Sequence, residues 1–199
     1  MSTPKNMVSV KIVLIGDGMV GKTTMVKSFL MGKSLTDTSY RRTIGADIFI
    51  KESTYTINPL GQLQVKWLIW DLAGQPIFRE VRGEYYHGAQ AGIAVFDVSR
   101  PPTFKNIPYW IAEFFKHAGG IRPIILVGNK VDLRDKMPCL PPEYGKEYAE
   151  KLSQKTGMRV EYLEASALYN VNVEEVFQKL AETIILSYMR KKKRSEQKE

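Results

Sequence analysis

The run Gly16-Asp17-Gly18-Met19-Val20-Gly21-Lys22-Thr23 constrains this chain more than any other feature. It has the spacing G-x-x-x-x-G-K-[ST] and sits between two segments of different period. Val8 to Ile15 starts with alternating residues and ends fully apolar, as a strand entering a buried sheet does. Lys22 to Gly32 places Met25, Val26, Phe29 and Leu30 at helical spacing. A strand, a glycine-rich turn and a helix in that order form a cradle for a polyphosphate. The glycines allow a tight bend with little bulk, so that backbone N–H groups wrap the anion. The helix adds its N-terminal dipole, Lys22 a positive charge, and the Thr23 hydroxyl a hard oxygen suited to Mg²⁺.

The rest of the chain alternates in the same way. Ile44–Ile57 and Leu63–Asp71 read as strands joined by the turn Asn58-Pro59-Leu60-Gly61-Gln62, and are expected to be antiparallel. Ala91–Asp97, Arg122–Gly128 and Val160–Leu163 read as further strands. Thr103–His117, Pro142–Thr156 and Val173 to about Met189 read as helices, the last with Val176, Phe177, Leu180, Ile184 and Ile185 as its apolar stripe. The expected fold is α/β: six strands, mostly parallel with one antiparallel, and helices on both faces. One folded unit over 7–189 is expected, with a flexible 1–6 and a basic, disordered 190–199.

Two further segments choose the base. Asn129-Lys130-Val131-Asp132 follows an apolar strand. A carboxylate at Asp132 can accept from the two donors on guanine's edge, a pair that adenine lacks. Glu164-Ala165-Ser166-Ala167 follows the last strand. Trp70-Asp71-Leu72-Ala73-Gly74-Gln75 ends another, and Arg42-Thr43-Ile44-Gly45 lies between it and the phosphate loop. Taken with that loop, these runs resemble the guanine-nucleotide motifs of Ras-superfamily small GTPases over about Val8 to Ile185. Thr43-Ile44-Gly45, the Trp70–Gln75 run and Tyr85-Tyr86-His87-Gly88-Ala89 look most like the Rab branch.

The resemblance implies a switch that holds GTP or GDP with Mg²⁺ and hydrolyses GTP slowly. The implied nucleotide contacts are Gly16, Asp17, Gly18, Val20, Gly21, Lys22, Thr23, Thr24, Thr43, Gly74, Asn129, Lys130, Asp132, Ser166 and Ala167. Thr23 and Thr43 would ligate Mg²⁺ directly and Asp71 through water. The expected catalytic groups are Gln75, orienting water, Lys22 and Thr43. An exchange factor, an activating protein and an effector are expected at Ser34–Asp47 and Asp71–Tyr86, and the chain is expected to be monomeric. Two features depart from the pattern. Gly32–Thr36 lacks the aromatic that packs on the base, and Pro76 restricts Gln75 to extended backbone. The second leaves open a GTP-binding module with little hydrolysis.

Composition removes other classes. The net charge is +8, but half of it lies in Arg190–Glu199, which argues against a nucleic-acid binder. A nucleotide kinase would need an acceptor site and an arginine-rich lid. One cysteine, Cys139, fits a reducing compartment. No secretory signal, membrane-spanning run or lipidation motif is read. A cytoplasmic protein is expected, whose basic end touches anionic membrane weakly and transiently.

Overall fold

The computed structural model describes residues 7–35, 43–58, 61–74 and 79–196. The elements in order are β1 (Met7–Ile15), α1 (Lys22–Met31), β2 (Ala46–Ile57), β3 (Gly61–Leu72), α2 (Arg79–Tyr86), β4 (Ala91–Asp97), α3 (Pro101–Lys105), α4 (Ile107–His117), β5 (Ile124–Asn129), α5 (Pro142–Thr156), β6 (Glu161–Ala165) and α6 (Val173–Glu196). They build one six-stranded sheet in the order β2-β3-β1-β4-β5-β6. Only the β2–β3 pair is antiparallel; every other pair is parallel. The expected α/β architecture is present.

The period of two along each strand divides the core into two layers. Ile12, Leu14, Ile93, Val95, Ile125 and Val127 face one cluster, closed by α1 and α6. There Phe29 stacks on Phe177, and Trp67 meets Phe177 edge-on. Their alternating neighbours Val13, Ile15, Ala94, Phe96, Ile124 and Leu126 face the other cluster, closed by α4 and α5. Fully apolar central strands follow from burial on both faces.

Three local features differ from the sequence pattern. The helix expected over Thr103–His117 is two helices, broken at Asn106, with Pro108 in the first turn of α4. Proline has no N–H to donate and clashes one turn back, so it is accepted only where a helix begins. The last helix runs to Glu196, beyond Met189 and into the segment expected to be disordered. Arg and Lys are good helix formers, and cations near a helix C-terminus complement its dipole. The polar segment Arg79–Tyr86 forms α2, which no apolar period announces. No helix among the described residues is long and apolar enough to cross a membrane.

Parallel strands end on a common edge. Strand register sets Leu14 beside Asp71, Asp97 beside Asn129, and Asn129 beside Ala165. Open α/β sheets hold ligands outside the carboxyl ends of their strands. The motifs scattered through the sequence meet there.

Candidate functional site

The phosphate loop leaves β1 through Gly16, at φ +139°, where an added Cβ would lie 2.1 Å from the Val95 carbonyl oxygen. Only glycine fits this close approach. Gly21 precedes α1 in a left-handed conformation and no side chain caps the helix. The first-turn N–H groups are therefore left to the loop's concave side. Lys22 is buried and donates from Nζ to the carbonyls of Gly16 and Asp17, each at 2.8 Å. An ammonium carries three donors, so one remains for an anion. Burial lowers this ammonium to about 8, against the opposing pull of Asp71 and Asp17. A polyphosphate alongside would supply the negative charge that such a buried cation needs.

Thr23, Thr43 and Asp71 converge. The Thr23 and Thr43 hydroxyls are 2.9 Å apart, and both donate to Asp71 Oδ2, Thr43 from 3.4 Å. Asp71 is fully buried, and its Oδ1 has no hydrogen-bond partner among the described residues. Burial is the main cause that pushes its carboxyl up, opposed chiefly by the Thr23 hydroxyl. Two hydroxyls and a buried carboxylate form a hard-oxygen set, the chemistry that Mg²⁺ takes. The residues fit that ion. Gly74 lies against the phosphate loop, where an added Cβ would meet the Asp17 carbonyl at 2.5–2.6 Å. Thr24 follows Thr23 on α1. Gln75, Pro76, Arg41 and Arg42 lie outside the described residues.

The base segments close the other side. Asn129 is buried and joins three loops: its Nδ2 donates to the Val20 carbonyl at 2.8 Å, and its Oδ1 accepts from the Ala167 N–H at 2.9 Å. The Ser166 hydroxyl donates to Asp132 Oδ1 at 2.5 Å, orienting that carboxylate. Lys130 adopts a left-handed conformation, φ +70°, and its Nζ pairs with Asp97 at 2.7 Å. The start of the Ser34–Asp47 segment is tied to the same region: the Leu35 N–H donates to the Leu168 carbonyl at 2.9 Å.

Three sets of contacts here were not read from the sequence. Asp17 accepts from Trp110 Nε1 at 2.7 Å and from Asn106 Nδ2 at 2.8 Å. Asp97 accepts from Lys130 and Arg100 on one oxygen and from Ser99 on the other. Arg82 donates to Glu113 and to the Ala73 carbonyl, and lies over the Trp110 ring. Asp97 had one available signal, a carboxylate at the end of an apolar strand. The other two depend on which helix faces which loop.

Asp97 gives a pH prediction. Burial opposes its ionisation, but bonds from Lys130, Ser99 and Arg100 outweigh it and hold the carboxyl below its usual value. A depressed carboxylate contributes stability above its unfolded pKa of about 3.9, and that contribution is lost as pH falls through the lower folded value. The stability gap between wild type and Asp97→Asn in urea denaturation should be level near neutrality and shrink below about pH 4. A gap unchanged at low pH would contradict this assignment.

The chain is similar to known proteins throughout this region. The family model for the Ras family matches residues 11–186. Human Ras-related protein Rab-19 is 39% identical over 88% of this chain and 75% of its own length. Ras-related protein RABA4b of Arabidopsis thaliana is 38% identical over 94% of this chain and 77% of its own. Bovine Ras-related protein Rab-8B is 38% identical over 91% and 81%. The Ras-superfamily resemblance read from the motifs therefore holds over most of the chain, which belongs to the Ras family as a Rab-like small GTPase.

Proposed function

We propose that this chain is a guanine-nucleotide switch of the trafficking type, which binds GTP or GDP with Mg²⁺ and hydrolyses GTP slowly. The observation that carries the reading is the meeting of Thr43, Thr23 and Asp71. Three distant segments contribute one oxygen group each, beside a buried lysine. The phosphate loop, the base loop, Thr43 and Asp71 thus lie at one edge of the sheet. Family membership favours hydrolysis over the alternative of a binding module.

In this reading the phosphate-loop N–H groups and Lys22 hold the β- and γ-phosphates. Thr23 and Thr43 would hold Mg²⁺, with Asp71 through water. When bound, the ion neutralises charge on the phosphate oxygens. Gly74 offers its N–H toward the γ-phosphate, and Gln75 orients the attacking water, with the Thr43 carbonyl beside it. Asp132 selects guanine, Lys130 covers the base plane, and the Ala167 N–H meets the guanine oxygen. The gain or loss of the third phosphate is felt by Thr43 and Gly74, which orders or releases their segments.

Exchange factor, activating protein and effector are assigned to those segments. Ile44 is exposed in the first of them, Ile48 and Ile50 are exposed on β2 just beyond it, and Ile48 pairs in register with Trp70, whose ring is 5.7 Å from Tyr85. An apolar patch on a polar surface marks a contact region. An activating arginine supplied in trans would speed hydrolysis about 10³–10⁵-fold. The protein acts as a monomer in the cytoplasm, and the basic end of α6 touches anionic membrane transiently.

Competition binding tests the nucleotide reading. GTP and GDP should displace a fluorescent guanine nucleotide, ATP should not, and chelating Mg²⁺ should speed GDP release. Equal displacement by ATP, or release indifferent to the chelator, would overturn it.

A further inference from the structure

Met19 is an anomaly in the phosphate loop. Gly18 and Met19 are the central residues of a turn, and Met19 has φ +67°, in the left-handed region that favours glycine. A turn with φ > 0 at its third residue normally carries glycine or asparagine there. The common alternative turn has that residue at φ near −90°, and the two interconvert by flipping the central peptide. For methionine the flipped form is the intrinsically favoured one. Something must hold the Gly18–Met19 peptide as it is.

Among the described residues one charged side chain makes contact with that peptide. Arg100 Nη2 donates to the Gly18 carbonyl at 3.1 Å. The guanidinium is itself fixed: its Nε pairs with Asp97 at 2.9 Å, and Asp97 is 1% exposed. Asp97 is held in turn by Lys130 and Ser99. The Arg100 backbone is pinned by its N–H to the Asp97 carbonyl and by its own carbonyl to Thr103. The arm thus reaches from a rigid base at the start of α3. Carbonyl and N–H of a trans peptide point to opposite sides. Holding the Gly18 oxygen on Arg100 therefore turns the Met19 N–H to the opposite side of the peptide, and the lock requires that side to be the cradle's.

We propose that Arg100 is a positioning residue for nucleotide retention: it locks the Gly18–Met19 peptide against the flip that Met19 favours. The inference rests on the nucleotide reading above and adds a residue that its motifs do not contain. A flip turns the Gly18 carbonyl toward the phosphate and withdraws a donor from it, so loss of the lock speeds release. Glycine at 19 has no preference for the flipped form. The lock is then dispensable, and this interdependence separates it from a general loss of packing.

The test is release of a fluorescent GDP analogue in Mg²⁺ buffer from four proteins: wild type, Arg100→Ala, Met19→Gly and the double variant. Arg100→Ala should release about tenfold faster, as expected for one charge-assisted hydrogen bond. In the Met19→Gly background the same change should alter release by less than about twofold. Arg100→Lys, which keeps a cation but not the two-pronged reach, should lie between wild type and Arg100→Ala. It also serves if Arg100→Ala fails to fold by circular dichroism. Unchanged release in Arg100→Ala or, in its place, Arg100→Lys, or an equal acceleration in both backgrounds, overturns the lock while leaving the nucleotide reading intact. Wild-type protein that binds no guanine nucleotide overturns both.

Discussion

Lys22→Met should weaken GDP binding by about 10–10²-fold, the worth of the one charge-assisted hydrogen bond that its Nζ has left for an anion. The side chain sits inside the loop, anchored by the Gly16 and Asp17 carbonyls. Its charge is desolvated, and burial is the dominant cause that pulls its pKa down to about 8. A phosphate oxygen in contact with it meets a cation with little competing water, where attraction is strongest. Methionine keeps the length of the stem and removes only the charge and donors. The nucleotide-free protein should therefore keep its fold while binding collapses, seen by calorimetric titration with GDP beside a thermal melt. Affinity within about threefold of wild type, less than one such bond is worth, would remove Lys22 from the site.

The second large effect concerns choice of base. Asp132→Ala should lower GTP affinity by about 10²–10⁴-fold without lowering ATP affinity, so most of the discrimination disappears. The reason is geometric. Ser166 orients the Asp132 carboxylate from 2.5 Å, and Asn129 ties the loop that carries it to both the phosphate loop and Ala167. A carboxylate so placed has two acceptor oxygens for guanine's paired donors and nothing to offer adenine, which would leave it unpaired at a cost. Competition binding with both nucleotides reads this directly. A variant that still prefers GTP by the wild-type ratio would move the specificity elsewhere.

Much of this was legible in the sequence because it is local. The phosphate loop is contiguous, and its flanking periods declare strand and helix. Apolar runs such as Ala91–Asp97 announce strands buried on both faces, and their ends mark the ligand edge. Asn129, Asp132 and Ala167 stand just past such ends. Other parts are not local. Trp110 lies on a helix whose apolar stripe reads as packing, yet its Nε1 donates to Asp17 in the phosphate loop. Arg82 and Glu113 are ordinary surface charges until α2 meets α4; there Arg82 is 3% exposed and Tyr86 donates to the same carboxylate. The break at Asn106 was signalled by Pro108, whereas α2 carried no apolar period. Register and packing between distant elements decide such contacts, and a single sequence does not display them.

In the proposed hydrolysis Gln75 is the residue that orients the attacking water. The most direct measurement is single-turnover conversion of Mg²⁺-loaded GTP, wild type beside Gln75→Leu, with the released nucleotide identified by chromatography. Slow appearance of GDP from wild type, and slower still from Gln75→Leu, is the predicted result. Bound GTP that stays uncut in both proteins would contradict the account and leave a guanine-nucleotide-binding module in its place.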